Sequence, residues 1–204
     1  IGAVTATISG DLADLINSET GILDTGNELT ITVDDAAIAD VADVVTLTGL
    51  TTGTITFDAD GGGASPSLEG SLSDLVTIYE DGDIAGIDGS VVTITDTGTI
   101  EISDLGTIAD GTTDLVTVSD ATAVRGAIAD LNTVYALNND AAVAGDDAVI
   151  GLGDEAVTVT DLTVDASALA SFVDVAGGGA AALTSGNVTV ISSAVSGDAS
   201  DIID

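Results

Sequence analysis

The chain has 204 residues, of which 35 are acidic and one, Arg125, is basic, so its formal net charge at pH 7 is −34. It contains no His and no Cys, which excludes disulfide bonds, zinc sites with His or Cys ligands, and nucleophilic triads that use His. Phosphate recognition needs Lys and Arg, and no run of 18 apolar residues is present. We therefore expect no binding to nucleic acid and no membrane insertion.

The composition nevertheless predicts a folded chain. Hydrophobic residues make up 45% of it and the mean hydropathy is +0.53, unlike the low hydrophobicity of disordered acidic chains. The apolar residues are nearly all Val, Ile, Leu and Ala, and a core of small, similar side chains suits a repetitive stack. The counter-charge must then come from inorganic cations, a basic partner or a salty medium, and halophilic adaptation is an alternative reason for the acidity.

Runs of alternating β-branched residues predict strands along the whole chain. In chain order they are VTATISGD, LTITVDD, TITFDAD, LVTIYEDGD, VVTITD, LVTVSD, VTVTD and VTVISS, which begin near residues 4, 29, 54, 75, 91, 115, 157 and 188. VVTITDTG is separated from TIEISD by little more than Thr97 and Gly98, which predicts a hairpin or a kinked strand.

Short segments rich in Ala, Leu and Asp follow many of these runs and predict helices or helical turns. Helical spacing is clearest in two apolar stripes, Ile38, Val41, Ala42 and Val45, and Val124, Ile128, Leu131 and Tyr135. The acids between strand and helix are predicted N-caps, namely Asp34, Asp35, Asp120 and Asp161.

Strands separated by helical crossovers run parallel, so the sequence predicts a mainly β fold. The expected architecture is a parallel β-solenoid-like stack of strand plus short helix repeats, with a β-sandwich with helical loops as the alternative. Residues 1–204 are expected to form a single repetitive domain. Because the sequence begins at Ile1 without Met or a signal-like segment, we interpret it as a processed chain or a segment of a longer protein.

The phrases VTVSDATAVRGAIADLNTV, LTITVDDAAIADVADVV and VTATISGDLADL carry a resemblance. They resemble the degenerate Thr/Asp/Ala-rich repeats of very large bacterial surface and secreted proteins, of the cyanobacterial type in particular. The resemblance implies an extracellular or cell-surface location and a structural, adhesive or lattice-forming role. It supplies no catalytic residue.

Two acidic turns are candidate calcium sites. In DADGGGASPSLE, Asp58, Asp60 and Glu69 occupy positions 1, 3 and 12 of a loop with the spacing of an EF-hand loop, although the residues before it predict a strand. In EDGDIAGIDG, the candidate ligands around a Gly-rich turn are Glu80, Asp81, Asp83 and Asp88. A third acidic cluster contains Asp146, Asp147, Asp154 and Glu155. At each place the alternative is that the acids are solvated turn residues.

Arg125 is expected in a helical segment, paired with Asp120, Asp130 or an acid of a neighbouring chain. Tyr79 and Tyr135 are expected at the edge of the core. The sequence offers no motif for catalysis, so we expect a protein that is not an enzyme. The predicted function is an extracellular structural protein that assembles with itself into a filament, sheath or surface layer, with calcium and other divalent cations as partners. The alternative is an adhesin-type module that binds a glycan or a protein.

Overall fold

The computed structural model describes residues 5–17, 27–59, 61–138, 149–172 and 187–197. The helices are α1 (Leu12–Ile16), α2 (Val41–Thr48), α3 (Leu72–Glu80), α4 (Ile102–Gly111), α5 (Ile128–Asn138) and α6 (Ala166–Phe172). The strands are β1 (Thr5–Gly10), β2 (Glu28–Val33), β3 (Ala37–Ile38), β4 (Ile55–Phe57), β5 (Ser67–Gly70), β6 (Ile84–Ala85), β7 (Val92–Ile94), β8 (Thr99–Glu101), β9 (Val116–Val118), β10 (Ala123–Gly126), β11 (Val149–Ile150), β12 (Ala156–Val159), β13 (Thr163–Asp165), β14 (Val188–Val190) and β15 (Ala194–Ser196).

One to three strands and then a helix form a unit, and successive units stack on one another. The first sheet has the order β1-β2-β4-β6, the second β3-β5-β7-β9-β11, the third β8-β10-β12-β14, and the fourth β13-β15. All strand pairs in these sheets are parallel. The helices pack in chain order, from α1 on α2 to α5 on α6. Each new sheet starts while the previous one continues, so the sheets overlap along the stack.

This architecture corrects the predicted fold class. In the part of the chain that the structure describes, the fold is α/β with parallel sheets and no closed barrel, not a mainly β solenoid-like stack, and a sandwich of antiparallel strands is excluded as well. The reason lies in the Ala/Leu/Asp segments, which form true helices of up to 11 residues. These helices supply apolar side chains to the core as regularly as the strands do, for example Leu72, Leu75 and Ile78 of α3.

Most of the predicted strands are confirmed, but LVTIY is wrong because it lies in α3. Its alternating pattern competes with a helical one, since Leu72, Leu75 and Ile78 recur every third residue and are buried. Ser71 then fixes the start of the helix, because its hydroxyl accepts a hydrogen bond from the main-chain N–H of Asp74 at 3.2 Å. Local propensity for a strand is overruled by burial of one helical face.

The prediction of a hairpin or a kinked strand around Thr97 is also wrong. Strand β7 belongs to the second sheet and β8 to the third, so the chain turns a corner between two sheets. The two helical stripes are shorter than predicted, because Ile38 lies in β3 and Val124 in β10. In both places the chain changes direction between the strand and the helix.

The units alternate between two kinds, which gives a structural repeat of about 60 residues. Helices α1, α3 and α5 each follow a strand that ends in Gly: Gly10, Gly70 or Gly126. A Cβ atom on Gly70 would lie 2.2 Å from Cγ2 of Val41, the first residue of α2, and one on Gly126 would lie 2.2 Å from Cγ2 of Ile102, the first residue of α4. These glycines therefore allow two consecutive helix starts to pack closely.

Candidate functional site

The acidic side chains are placed unevenly on the stack. The carboxylates within described strands are Glu28, Glu69, Glu101 and Asp165. The other described acids lie on the helices or in the connections between elements. The strands instead carry hydroxyl groups in register, such as Thr32 beside Thr56 and Thr93 beside Thr117. The charge is therefore concentrated on the helices and corners.

Three corner aspartates accept hydrogen bonds from helices of the preceding unit. Asp35 Oδ2 accepts from the N–H of Leu12 at 2.5 Å, Asp96 Oδ2 from that of Leu72 at 2.6 Å, and Asp161 Oδ2 from that of Ile128 at 2.7 Å. Leu12, Leu72 and Ile128 are the first residues of α1, α3 and α5. We call Asp35, Asp96 and Asp161 the inter-unit caps.

The inter-unit caps have a clear physical role. The first N–H groups of a helix have no partner within the helix, and they carry the positive end of its dipole. A carboxylate at that point satisfies one donor and places its negative charge where the field is favourable. Helix α5, which begins at Ile128, shows the need most plainly, because the preceding residue, Ala127, has no side-chain acceptor. In this chain, helix N-termini thus supply the positive partners of carboxylates that basic side chains supply in other proteins.

The N-cap prediction is wrong for Asp34 and Asp120 and correct in kind for Asp35 and Asp161, which cap helices other than the ones predicted. Asp35 and Asp161 do cap helices, although each caps the helix of the preceding unit. Helix α2 is capped instead by Asp40, whose Oδ1 accepts from the N–H of Ala42 at 3.0 Å. Asp120 accepts from the hydroxyl of its neighbour Ser119 at 3.2 Å and caps no helix, and Asp34 donates its N–H to the carbonyl of Gly10 at 3.2 Å.

The first candidate calcium loop forms a strand, a tight turn and a strand. Asp58 Oδ1 accepts from the N–H of Gly63 at 2.5 Å, so this carboxylate already closes the turn. Glu69 is exposed in the middle of β5, where its register partner is Thr93. Asp60 lies outside the described residues. The EF-hand spacing is present in the sequence, but the flanking helices of an EF-hand are not.

The second candidate calcium turn is divided between two clefts. Glu80 is the last residue of α3, and Asp81 Oδ1 accepts from the N–H of Asp83 at 3.0 Å. Asp81 and Asp83 line a cleft of about 60 Å³, whereas Asp88 lines a separate groove of about 430 Å³. Across residues 5–17, 27–59, 61–138, 149–172 and 187–197, no three acidic side chains form a group that could hold a metal ion.

The third acidic cluster contains a buried carboxylate. Glu155 is 3% exposed, and its Oε2 accepts from the Tyr135 hydroxyl at 3.2 Å and from the N–H of Gly153 at 2.8 Å. The Tyr135 ring packs edge-on against Phe172, with centroids 5.0 Å apart. Asp154 is exposed, and Asp146 and Asp147 lie outside the described residues.

Tyr79 occupies the place in α3 that Tyr135 occupies in α5. Its hydroxyl donates to the carbonyl of Ile87 at 3.2 Å, and burial raises the pKa of Tyr79 to about 12. The side-chain oxygen of Ser90 is buried nearby and makes no hydrogen bond of normal geometry. Tyr79 lies at the edge of the core as predicted, but the prediction is wrong for Tyr135, which is fully buried within the core. The spacing of 56 residues between the two tyrosines was a signal of the structural repeat.

Arg125 does not lie in a helix as predicted. It belongs to β10, and its Nε donates to Oε1 of Glu101 on the neighbouring strand β8. Both side chains are well exposed, at 57% for Arg125 and 38% for Glu101, so the pair adds little to stability. The expected partners Asp120 and Asp130 are not used. A partner on the neighbouring strand could not be predicted, because the sequence predicted a helix for this segment.

None of the helices in the described part of the chain is long and apolar enough to cross a membrane. The sequence matches no known protein family, and neither curated proteins nor solved structures show significant similarity to it.

Proposed function

We propose that this chain is a non-enzymatic, extracellular structural protein that assembles with copies of itself into a filament, sheath or surface layer. The observation that carries the proposal is the stack itself. Each helix packs on the helix before and after it, and strands pair with those of adjacent units, so the molecule is extended by repetition in one direction. Such an arrangement suits a spacer or a building block.

Protection from proteolysis supports an extracellular role. The sequence offers a trypsin-like protease a single site, Arg125. This residue lies in β10, which is hydrogen-bonded on both sides, to β8 and to β12. A protease must bind an extended, accessible segment, so cleavage here requires local opening of the third sheet. A long-lived protein exposed to secreted proteases benefits from this arrangement.

We also propose that calcium binds at the acidic turns and acts between chains. Chains of this charge repel one another, and external cations are needed to bring them together. The described carboxylates of one chain do not form a closed site, so the proposed role for calcium is to bridge Asp81 and Asp83 of one chain to acids of another.

Sedimentation velocity and electron microscopy at rising protein concentration test the proposal, with calcium, with EDTA and with NaCl of matched ionic strength. We expect assemblies with calcium, their loss with EDTA, and weaker assembly in the variant Asp81→Asn/Asp83→Asn. The matched control is Asp14→Asn/Asp43→Asn, which removes the same charge from α1 and α2. Equal rescue by NaCl would reduce the role of calcium to screening. A chain that stays monomeric in every condition contradicts the proposal, and glycan binding by that monomer would support the adhesin alternative.

A further inference from the structure

The two outermost parts of the stack present strand edges without a described partner. Strand β1 pairs with β2 on one side, while β14 pairs with β12 and β15 with β13. No described strand pairs with their other sides. We call these the β1 edge and the β14–β15 edge.

Core positions at both edges are incompletely covered. Ile8 of β1 is half-buried, although its register partner Ile31 is fully buried. Val188 and Val190 of β14 are half-buried, although their register partners Val157 and Val159 are fully buried. The apolar pattern is the same as in the interior of the stack, so one more paired strand at each edge would complete its burial.

Both edges are uncharged in a chain whose net charge is −34. Strands β1, β14 and β15 read TATISG, VTV and AVS and contain no ionisable side chain. Natural edge strands are usually guarded by charges, prolines or bulges against pairing with another chain. Among the other outer strands, β8 carries Glu101 and β13 carries Asp165, whereas β3, β6 and β11 are uncharged but only two residues long. The β1 edge and the β14–β15 edge are therefore the longest uncharged edges, and two such anions can approach there with little repulsion.

We infer that copies of this chain join head to tail, with β1 of one copy added in parallel to β14, at the β14–β15 edge of the next. This inference rests on the proposed self-assembly and specifies its contact. A parallel stack is polar and its two edges are different surfaces, so pairing that keeps the parallel register joins unlike edges. Such a heterologous contact produces an open fibre, unless the rotation between successive copies closes them into a ring.

The hydrogen-bond pattern identifies the main-chain groups that take part. The N–H of Asp34 donates to the carbonyl of Gly10, and groups alternate along a strand, so the N–H of Thr7 points to the open side of β1. On β14, the carbonyl of Asn187 accepts from Val157, which leaves the N–H of Val188 pointing to the open side. Proline at either position removes an outward donor, and edge strands tolerate it there.

The test uses Thr7→Pro and Val188→Pro, each alone and mixed in equal amounts, under conditions in which the wild type assembles. Thr7→Val and Val188→Thr keep the N–H group and serve as matched controls, and circular dichroism checks that all four variants fold. We expect each proline variant alone to stay monomeric. The mixture should form dimers, seen as a doubling of the sedimenting mass, because one free edge of each kind remains.

Two results would overturn the inference while leaving the proposed self-assembly intact: fibres formed by either proline variant alone, or a mixture that stays monomeric while both control variants form fibres. The first result is also expected if another part of the chain covers these edges. A wild type that never assembles refutes this inference and the proposed function together.

Discussion

Replacing Asp96 tests whether the inter-unit caps hold the stack together. Its carboxylate is partly buried and accepts from the N–H of Leu72, at the start of α3, from a position 24 residues later in the chain. The variant Asp96→Ala removes this acceptor. Helix α3 keeps its own Ser71 cap on the N–H of Asp74, so the helix should still form.

The expected loss follows from two contributions. Removing a capping oxygen typically costs about 1 kcal/mol, and removing a negative charge from the first turn of a helix costs about 0.3–1 kcal/mol. We therefore expect Asp96→Ala to lower the free energy of unfolding by about 1–2 kcal/mol. Asp96→Asn should cost less, because an amide oxygen can still accept the hydrogen bond.

Relief of charge repulsion opposes this loss, so the comparison needs a control with the same change of charge. Asp120→Ala provides it, because Asp120 follows β9 as Asp96 follows β7 but bonds the hydroxyl of Ser119. Urea unfolding followed by circular dichroism gives both free energies. Asp120→Ala should be neutral or slightly stabilising. Ordinary surface substitutions change stability by no more than about 0.5 kcal/mol. If the two variants differ by less than this, the inter-unit caps contribute nothing.

Three further predictions follow from the packing. Gly70→Ala should destabilise the protein by about 1–3 kcal/mol, because the added Cβ would lie 2.2 Å from Val41. Gly106→Ala, in the middle of α4, should instead stabilise it by up to about 1 kcal/mol, because alanine favours a helix more than glycine does. Urea unfolding measures both changes. Thr112→Val should cost about 1–3 kcal/mol in the same assay, because the buried hydroxyl donates to a main-chain carbonyl at 2.6 Å. With the other tyrosine changed to Phe, ultraviolet titration should show Tyr79 ionising near pH 12. The pKa of Tyr79 is raised from 10.0 by folding, so the folded state binds this proton more tightly than the unfolded chain does. The stability that Tyr79 contributes is therefore present below pH 10 and lost between pH 10 and 12. Ionisation of Tyr79 near pH 10 in the folded protein would contradict this prediction.

The strands were the most predictable part of the fold. Runs such as LTITV and VVTIT alternate apolar and polar residues with period two, and β2 and β7 form where they occur. Parallel pairing followed from the helical segments between them. The balance of helix and strand did not follow, because a segment such as DLADLI does not reveal from its own residues whether it packs as a helix or as a turn.

The partners of the acids were not predictable from local sequence. Asp96 and Asp120 both follow a Val/Thr/Ile strand by two residues, yet one caps a helix and the other does not. The difference lies in the preceding unit: β5, the neighbour of β7, runs directly into α3, whereas β7, the neighbour of β9, continues into β8. The hydrogen bond between Leu72 and Asp96, 24 residues apart, forms only because two kinds of unit alternate. In the sequence, the spacing of Gly10, Gly70 and Gly126 is only a weak signal of this alternation.

The placement of charge explains how so acidic a chain forms a close-packed core. Asp35, Asp96 and Asp161 meet helix N-termini, which supply partial positive charge without any basic side chain. Acids of the helices such as Asp43 and Asp110 are exposed, whereas Val44 and Leu105 of the same helices are fully buried. Because charges on these surfaces are screened by salt while the uncharged edges are not affected by it, added salt should strengthen contact between chains without weakening the strand pairing that the contact uses.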